Sequence, residues 1–229
     1  VEHWHGAAPD RWFAHIAIEC NPGANQVTWI YPVNDADYLG AAQAATDACQ
    51  SDNRSLDKRQ QAIVAIAAFT GKGELGGLRG ALKQGLSAGM TVNEIKEVLI
   101  HAYAYCGFPR SLRAIQTFMA LLDERKATGI EDPVGRDASP VANTGDKFSR
   151  GRDILSALNG LPADAPASGF ALFAPTIEKF LKEHLFCDIF ERDLLTYKER
   201  ELATVSILAG VGGVEPMAYG HIGICLHLG

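Results

Sequence analysis

Apolar and polar positions alternate with the period of an α-helix through most of the chain beyond residue 55. In the stretch that begins at Leu56, for example, Ile63, Ile66 and Ala67 recur three or four residues apart, as on one face of a helix. The pattern and its interruptions predict a mainly α-helical chain. The predicted helices span about 56–70, 74–88, 91–107, 109–127, 147–158, 170–185 and 197–209, followed by one that carries His221.

Polar residues mark where several of these helices begin. Ser55 is the predicted N-cap of the first helix. Thr91 with Glu94, and likewise Thr196 with Glu199, have the three-residue spacing of a capping box. In such a box each side chain accepts the other residue's backbone N–H, so we expect well-defined helix starts at both places.

Two further features lie inside long helical stretches. Gly107 followed by Pro109 predicts that one helix ends and another begins, because glycine suits a helix C-terminus and proline a first turn. Over 170–185 the apolar side chains form a single stripe, which we expect to face the core. The stripe consists of Phe173, Ile177, Phe180 and Leu181.

Part of the helical pattern occurs twice. LDKRQQAIVAIAAF at 56–69 is echoed by TYKERELATVSILAG at 196–210, which pairs Arg59 with Arg200. GELGGLRGALKQGLSAG at 73–89 is echoed by GVEPMAYGHIGICLHLG at 213–229. Such an internal repeat predicts two copies of one helical unit that pack on each other.

The repeat sets the predicted division of the chain. We expect the sequence to be a piece of a longer protein, because Val1 begins inside a patterned segment and Gly229 ends where the first copy continues with MTVNEIKEVL. The predicted parts are a β segment at 1–38, a linker at 39–55, a first repeat at 56–129, a connector at 130–169 and a second, shortened repeat at 170–229.

The segment before the linker has a β pattern. RWFAHIAIEC at 11–20 and QVTWIY at 26–31 are rich in aromatic and β-branched residues, as strands are. His3 and His5 share one face of a strand, and so do His15 and Glu19. Imidazoles and a carboxylate on neighbouring strands could hold a divalent metal such as Mn, Fe or Zn, although an HxH pattern is also common in structural strands.

Composition excludes several classes of function. The net charge of −6, with no cluster of Lys or Arg, argues against a nucleic-acid surface. No apolar run approaches the roughly 18 residues of a membrane span, so we expect no membrane partner and a place in the cytoplasm, with the periplasm as the alternative. The five cysteines are widely spaced and form no CxxC pair, which fits neither a disulfide framework nor a zinc site.

The helical part resembles a known enzyme superfamily. LDKRQQAIVAIAAF, ALKQGLSAGMTVNEIKEVL and AYAYCGFPRSLRAIQTF are similar to carboxymuconolactone decarboxylases and the related AhpD-like alkylhydroperoxidases. The resemblance extends over about 56–129 and again over about 170–229. It implies tandem helical repeats that assemble around helical interfaces, and a homotrimer or homohexamer is therefore expected.

The first segment resembles part of a different fold. VEHWHGAAPDRWFAHIAIE is similar to the second conserved half of a small cupin barrel, as in cupins similar to manganese-dependent hydroxynitrile lyases. The resemblance implies a metal ligand at His3, a base beside the metal at His15 and a polar pocket residue at Glu19. The other ligands of that pattern precede this sequence, and half a barrel leaves unpaired strand edges. We expect this partial cupin to need further residues or a partner chain.

The peroxidase branch uses a Cys-x-x-Cys pair with a downstream histidine and an upstream glutamate. In the second copy the resemblance places that histidine at His221 and that glutamate at Glu201, but Val214 and Met217 occupy the cysteine positions. The matching positions of the first copy are Gln60, Glu74, Gly77 and Ala81. A thiol-dependent peroxidase is therefore disfavoured, although Cys225 lies one helical turn after the histidine.

The decarboxylase branch needs no metal or organic cofactor. The resemblance implies that His221 returns a proton after carbon dioxide leaves, since imidazole titrates near neutral pH. Glu201 would orient His221, and Arg200 or Arg110 would hold a substrate carboxylate. Cys225 would lie against the substrate. The leading hypothesis is thus cofactor-free decarboxylation of a small lactone acid in the breakdown of aromatic compounds.

Two alternatives remain open from the sequence. One is a metal-dependent cupin lyase or dioxygenase in which His3, His15 and Glu19 hold the metal and the helices serve as a scaffold. The other is a non-catalytic oligomerisation or ligand-binding protein, which the absence of the histidine from the first copy makes plausible. Metal content and turnover of a lactone acid separate these three hypotheses.

Overall fold

A computed structural model describes residues 56–142 and 144–229 of the chain. The described residues form helices and contain no β-strand, which confirms the mainly α-helical prediction for this part of the chain. The β segment predicted at 1–38 and the linker predicted at 39–55 lie outside the described residues. The helices are α1 (Lys58–Lys72), α2 (Leu75–Ser87), α3 (Val92–Ala127), α4 (Lys147–Asn159), α5 (Phe170–Phe173), α6 (Pro175–Phe180), a π-helix (Leu181–Ile189), α7 (Tyr197–Val211) and α8 (Glu215–Leu228).

Helix α1 begins with a capping box that the sequence pattern did not predict. Asp57 Oδ1 accepts the backbone N–H of Gln60 at 2.8 Å, and Gln60 Oε1 accepts the backbone N–H of Asp57 at 3.0 Å. These two bonds set the first helical residue at Lys58. The prediction that Ser55 caps the helix was wrong, because Asp57 has a glutamine partner at the required spacing.

Helix α3 contains the predicted break. Thr91 and Glu94 form the expected capping box at its start. Gly107 has φ 78° and ψ 160°, a left-handed conformation that favours glycine, and Pro109 follows in the next turn. The prediction that one helix ends at Gly107 and another begins at Pro109 is therefore confirmed as a kink within a helix of 36 residues.

The apolar stripe predicted over 170–185 does not face the core. Ala174 leaves the helical conformation, with φ −135° and ψ 73°, because proline at position 175 restricts the residue before it. The interruption separates α5 from α6 and leaves Phe173 92% exposed and Phe180 58% exposed. The prediction of a core-facing stripe was wrong, since the buried side chains of this region lie further along. They are Leu185, Phe186 and Ile189 of the π-helix.

Two clusters of buried apolar side chains hold the helices together. The larger cluster joins α1, α2, α3 and α7, and its members include Ile63, Leu78, Leu99, Phe118 and Ile207. The smaller cluster joins α4, the π-helix and α8, and its buried members are Leu158, Leu185, Phe186, Ile189, Phe190 and Ile224. Burial of such side chains is the main favourable contribution to folding.

Helices α1 and α7 approach each other closely enough to require glycine. A Cβ atom added at Gly71 would clash with the carbonyl group of Ile207. A Cβ atom added at Gly210 would clash with the carbonyl oxygen of Ala68. The two contacts mirror each other, so the two helices meet through their backbones at one point near their C-terminal ends.

The ends of these helices give an alignment of the two similar stretches that differs from the sequence-based one. Helices α1 and α7 each have 15 residues, start with a capping box and end at a glycine with positive φ. Aligned by these ends, Gly71 matches Gly210 and Ala62 matches Glu201. By the same helix ends Arg59 corresponds to Lys198, two positions before the Arg200 with which the sequence pattern pairs it.

Candidate functional site

A histidine–glutamate pair joins the last two helices. His221 of α8 and Glu201 of α7 are linked by a 2.7 Å contact between Nδ1 and Oε2. The side chain of Glu201 is fully buried, whereas that of His221 is 15% exposed. Since Nδ1 is held by the carboxylate, Nε2 is the ring atom through which His221 can exchange a proton with a ligand.

Tyr105 of α3 packs against the histidine of this pair. Its ring packs edge-on against the His221 ring, with 5.5 Å between centroids and 82° between planes. Burial, followed by the negative charge of Glu201, raises the pKa of the Tyr105 hydroxyl above its ordinary value. Tyr105 therefore remains a neutral phenol, which can donate a hydrogen bond.

Glu201 retains an unused acceptor inside the protein. Its Oε2 atom contacts His221, but Oε1 is buried and has no hydrogen-bond partner among the described residues. A buried polar atom without a partner is uncommon in native proteins and is costly unless a water or ligand satisfies it. The arrangement can therefore accept one hydrogen bond from a molecule beside His221.

A second histidine lies behind Tyr105 in a fixed protonation state. His101 Nε2 is 2.8 Å from Thr204 Oγ1, and that hydroxyl donates to the carbonyl oxygen of Arg200 at 2.9 Å. The hydroxyl proton is thus committed, so His101 Nε2 must carry the proton between them and Nδ1 can accept from Arg200 Nη1 at 3.4 Å. Burial, and then the charge of Arg200, holds the pKa of His101 well below its ordinary value, and His101 is neutral.

Arg200 has a carboxylate partner inside the protein. Its Nη2 donates to Glu97 Oε1 at 2.7 Å, and both side chains are fully buried. Arg192 contacts the other oxygen of Glu97 at 2.9 Å. The sequence led us to expect a substrate carboxylate on Arg200. In the structure its carboxylate partner is Glu97 instead.

The two remaining sequence-predicted residues have different surroundings. Cys225 follows His221 by one turn of α8 and is partly buried. Burial, and then the charge of Glu201, raises the pKa of its thiol, which disfavours a reactive thiolate. Arg110 lines a cavity of about 330 Å³ whose lining includes neither His221 nor Glu201. The structure thus brings together His221, Glu201 and Cys225, but not Arg110.

Sequence reasoning missed Tyr105, His101 and Thr204 as parts of the site. Tyr105 and His101 come from α3, more than ninety positions before Glu201, so no local spacing joins them to it. One signal was available, because residues four apart on a helix share a face and these two aromatic polar side chains are four apart.

The residues predicted to hold a metal, His3, His15 and Glu19, lie outside the described residues. Within residues 56–142 and 144–229, no group of three or more His, Cys, Asp or Glu side chains is arranged to hold a metal ion. In the same part of the chain, no helix combines the length and apolarity needed to cross a membrane.

Comparison with known proteins gives one relationship. Residues 36–118 match the model of the carboxymuconolactone decarboxylase family. No curated protein matches the chain. The matched range includes Glu97, His101 and Tyr105, whereas Glu201 and His221 lie beyond it. The match supports a relationship of the helical part to the carboxymuconolactone decarboxylase and AhpD-like superfamily, in agreement with its helical fold.

Proposed function

We propose that the protein is a carboxymuconolactone decarboxylase-like enzyme that removes carbon dioxide from a small lactone acid without a cofactor. The observation that carries the proposal is the 2.7 Å contact between His221 Nδ1 and the fully buried carboxylate of Glu201. A partly exposed imidazole oriented by a buried carboxylate is a suitable general acid near neutral pH. The family match supports the same class of reaction.

The reaction assigns a step to each of three side chains. The bond from carbon to the carboxylate breaks, carbon dioxide leaves, and the electron pair moves through the conjugated system onto the lactone carbonyl oxygen. Tyr105 donates a hydrogen bond to that oxygen as negative charge develops there. His221 then delivers a proton from Nε2 to carbon, and Glu201 stabilises the ring in both protonation states. Solvent restores the proton on His221.

The direct test is turnover of carboxymuconolactone by the wild type and by His221→Gln. The expected loss is about 10²- to 10⁴-fold in kcat, the usual contribution of a general acid. His227→Gln is the matched control, because His227 is exposed on the same helix. In deuterium oxide the wild-type product should gain one deuterium at carbon. Equal rates in wild type and His221→Gln would overturn the role of His221, and no turnover by the wild type would favour a non-catalytic, ligand-binding function.

We also propose that the first hairpin (α1 and α2) and the second hairpin (α7 and α8) are two copies of one unit. This proposal is supported by what α1 and α7 share, namely a capping box, the same length and a terminal glycine with positive φ. In this view the first copy is structural, because Ala62 and Ala81 stand where the second copy has Glu201 and His221.

The expected homotrimer or homohexamer is a proposal that exposed apolar side chains support. Helices α5 and α6 present Phe170, Leu172, Phe173, Ile177 and Phe180 to solvent. Exposed apolar side chains in one short stretch are typical of contact surfaces. Light scattering tests the assembly: a monomer at micromolar concentration would contradict it, and Phe173→Asp with Phe180→Asp should shift an oligomer toward monomer.

A divalent metal at His3, His15 and Glu19 is a separate proposal that rests on the sequence pattern. Elemental analysis of the purified protein tests it independently of decarboxylation. Bound Mn, Fe or Zn that is lost in His3→Ala would support a metal-dependent function of the first segment. Equal metal content in the wild type and the variant would contradict it.

A further inference from the structure

Residues of α1, α2 and α3 line an open cavity of about 330 Å³. Three of its side chains are cations, Lys72, Arg110 and Arg113, and none of its lining residues is acidic. The remaining residues that line it are Phe69, Thr70, Gly73, Leu75, Leu78, Pro109 and Ala114. Cavities of this size accommodate small organic ligands.

The two arginines of the cavity differ from the others in the described part of the chain. Of the ten arginines there, eight make an ion pair with a carboxylate, and the two that do not are Arg110 and Arg113. Arg110 donates to the backbone oxygen of Gly71, and Arg113 donates to the side-chain oxygen of Gln116 at 3.0 Å. Both partners are neutral, so within residues 56–142 and 144–229 no carboxylate forms an ion pair with either guanidinium group of the cavity.

The cavity also has an apolar part. Phe69 provides a flat ring, and Leu75, Leu78 and Pro109 provide aliphatic surface. Gly77 lies against the Phe69 ring so closely that an added Cβ atom would clash with it. A ligand that matches this lining combines an apolar body with a negative charge.

We infer that this cavity is a binding site for a small monocarboxylate with a single-ring apolar body, separate from the His221 centre. The guanidinium groups of Arg110 and Arg113 hold the carboxylate, since their planar forks match its geometry. The Lys72 ammonium adds charge at the rim. The ring rests on Phe69 and Leu75. Because the lining includes neither His221 nor Glu201, this site binds and does not catalyse decarboxylation.

The test is calorimetric titration of the full chain with benzoate, with benzyl alcohol as the uncharged probe and inorganic phosphate as the ring-free probe. Benzoate should bind, and benzyl alcohol and phosphate should bind at least tenfold more weakly, because each lacks one half of the recognised chemistry. Binding of phosphate as tight as that of benzoate, or no binding of benzoate, would overturn the inference.

Variants locate the site. Arg113→Gln changes an exposed side chain and should lower benzoate affinity about tenfold, since it removes a charge-assisted hydrogen bond. Lys83→Gln, an exposed cation of α2 outside the cavity, is the matched control and should leave affinity unchanged. His221→Gln should also leave benzoate binding unchanged, which separates this site from the proposed reaction centre. An equal loss in Lys83→Gln, or a loss in His221→Gln, would contradict the assignment.

Discussion

The first and second hairpins share a framework and differ in what they enclose. Both begin with a capping box, and their first helices meet through Gly71 and Gly210. Inside the first hairpin, Ala81 is buried among apolar side chains, whereas the second has His221 on the carboxylate of Glu201. Caps and glycines thus set the framework of each hairpin. A few interior positions set its chemistry, and these can change without altering the framework.

Packing differs as well as chemistry. Helix α2 buries Leu78, Ala81, Leu82 and Gly85, whereas α8 buries only Ile224. Few buried contacts are characteristic of the less stable parts of a fold, from which ligand-binding elements are drawn. Helix α8, which carries His221, is therefore less firmly anchored than α2.

The largest expected effect comes from the buried ion pair between Glu97 of α3 and Arg200 of the second hairpin. Glu97→Ala should lower the free energy of unfolding by about 3–5 kcal/mol, because it leaves the Arg200 guanidinium buried without its carboxylate. Urea denaturation measures the loss. Glu124→Ala is the control, since Glu124 is mostly exposed in its pair with Arg79 and should cost less than about 1 kcal/mol. Similar losses in both would show that the buried link is unimportant.

The next prediction concerns the difference between Ala62 and Glu201 directly. Glu201→Gln should lower kcat about 10²-fold, because a neutral amide no longer stabilises the protonated imidazole of His221. The measurement is kcat and KM for the lactone acid, with KM little changed. Glu215→Gln, on the same hairpin and exposed, should retain activity. A KM effect without a kcat effect would assign Glu201 to binding instead.

The shared crossing predicts an intermediate effect. Gly71→Ala should destabilise the fold by about 1–3 kcal/mol, since its Cβ would clash with the carbonyl of Ile207. Gly210→Ala should behave in the same way. Gly80→Ala is the matched control in helix α2: a Cβ there meets open space, and the change should stabilise by about 0.5–1 kcal/mol. Thermal unfolding measures the change in stability of each variant. An unchanged stability of Gly71→Ala would show that the two helices can separate without cost.

The smallest effect is a pH dependence from His101. Its pKa is lowered in the folded protein by burial and by the charge of Arg200, so below about pH 6.5 only the unfolded chain binds a proton there. Stability should fall as the pH drops below that value, by up to about 1.4 kcal/mol per pH unit. In His101→Gln this slope should diminish, whereas His227→Gln should retain it. Denaturation at pH 5 and pH 7 gives the free energy of unfolding of the wild type and both variants. The same dependence on pH in all three proteins would contradict the prediction.

Local chemistry made much of the fold predictable from sequence. The capping boxes at Thr91 and Thr196, and the break at Gly107 and Pro109, depend on residues within a few positions of each other. The histidine and glutamate were also found by sequence, because twenty residues of helix–turn–helix separate them and a family pattern places them.

The predictions that were wrong or incomplete concerned features that depend on distant contacts or on competing local signals. The stripe that begins at Phe173 has the period of a core face, but the proline at position 175 interrupts it. Phe173, Ile177 and Phe180 are exposed, whereas Leu181 packs against the smaller cluster. The burial of Arg200 depends on Glu97, about one hundred positions earlier, which no local pattern reveals. Tyr105 joins the site from α3 for the same reason.

The close crossing of α1 and α7 also constrains how the molecule can move. Their backbones touch, so neither helix can slide along the other, and Glu201 stays fixed relative to the larger cluster. The connection from α7 to α8 consists instead of Gly212 and Gly213, both with positive φ, followed by Val214. An opening beside the imidazole that keeps this crossing intact would therefore rotate α8 about these glycines, with α7 as the stationary frame.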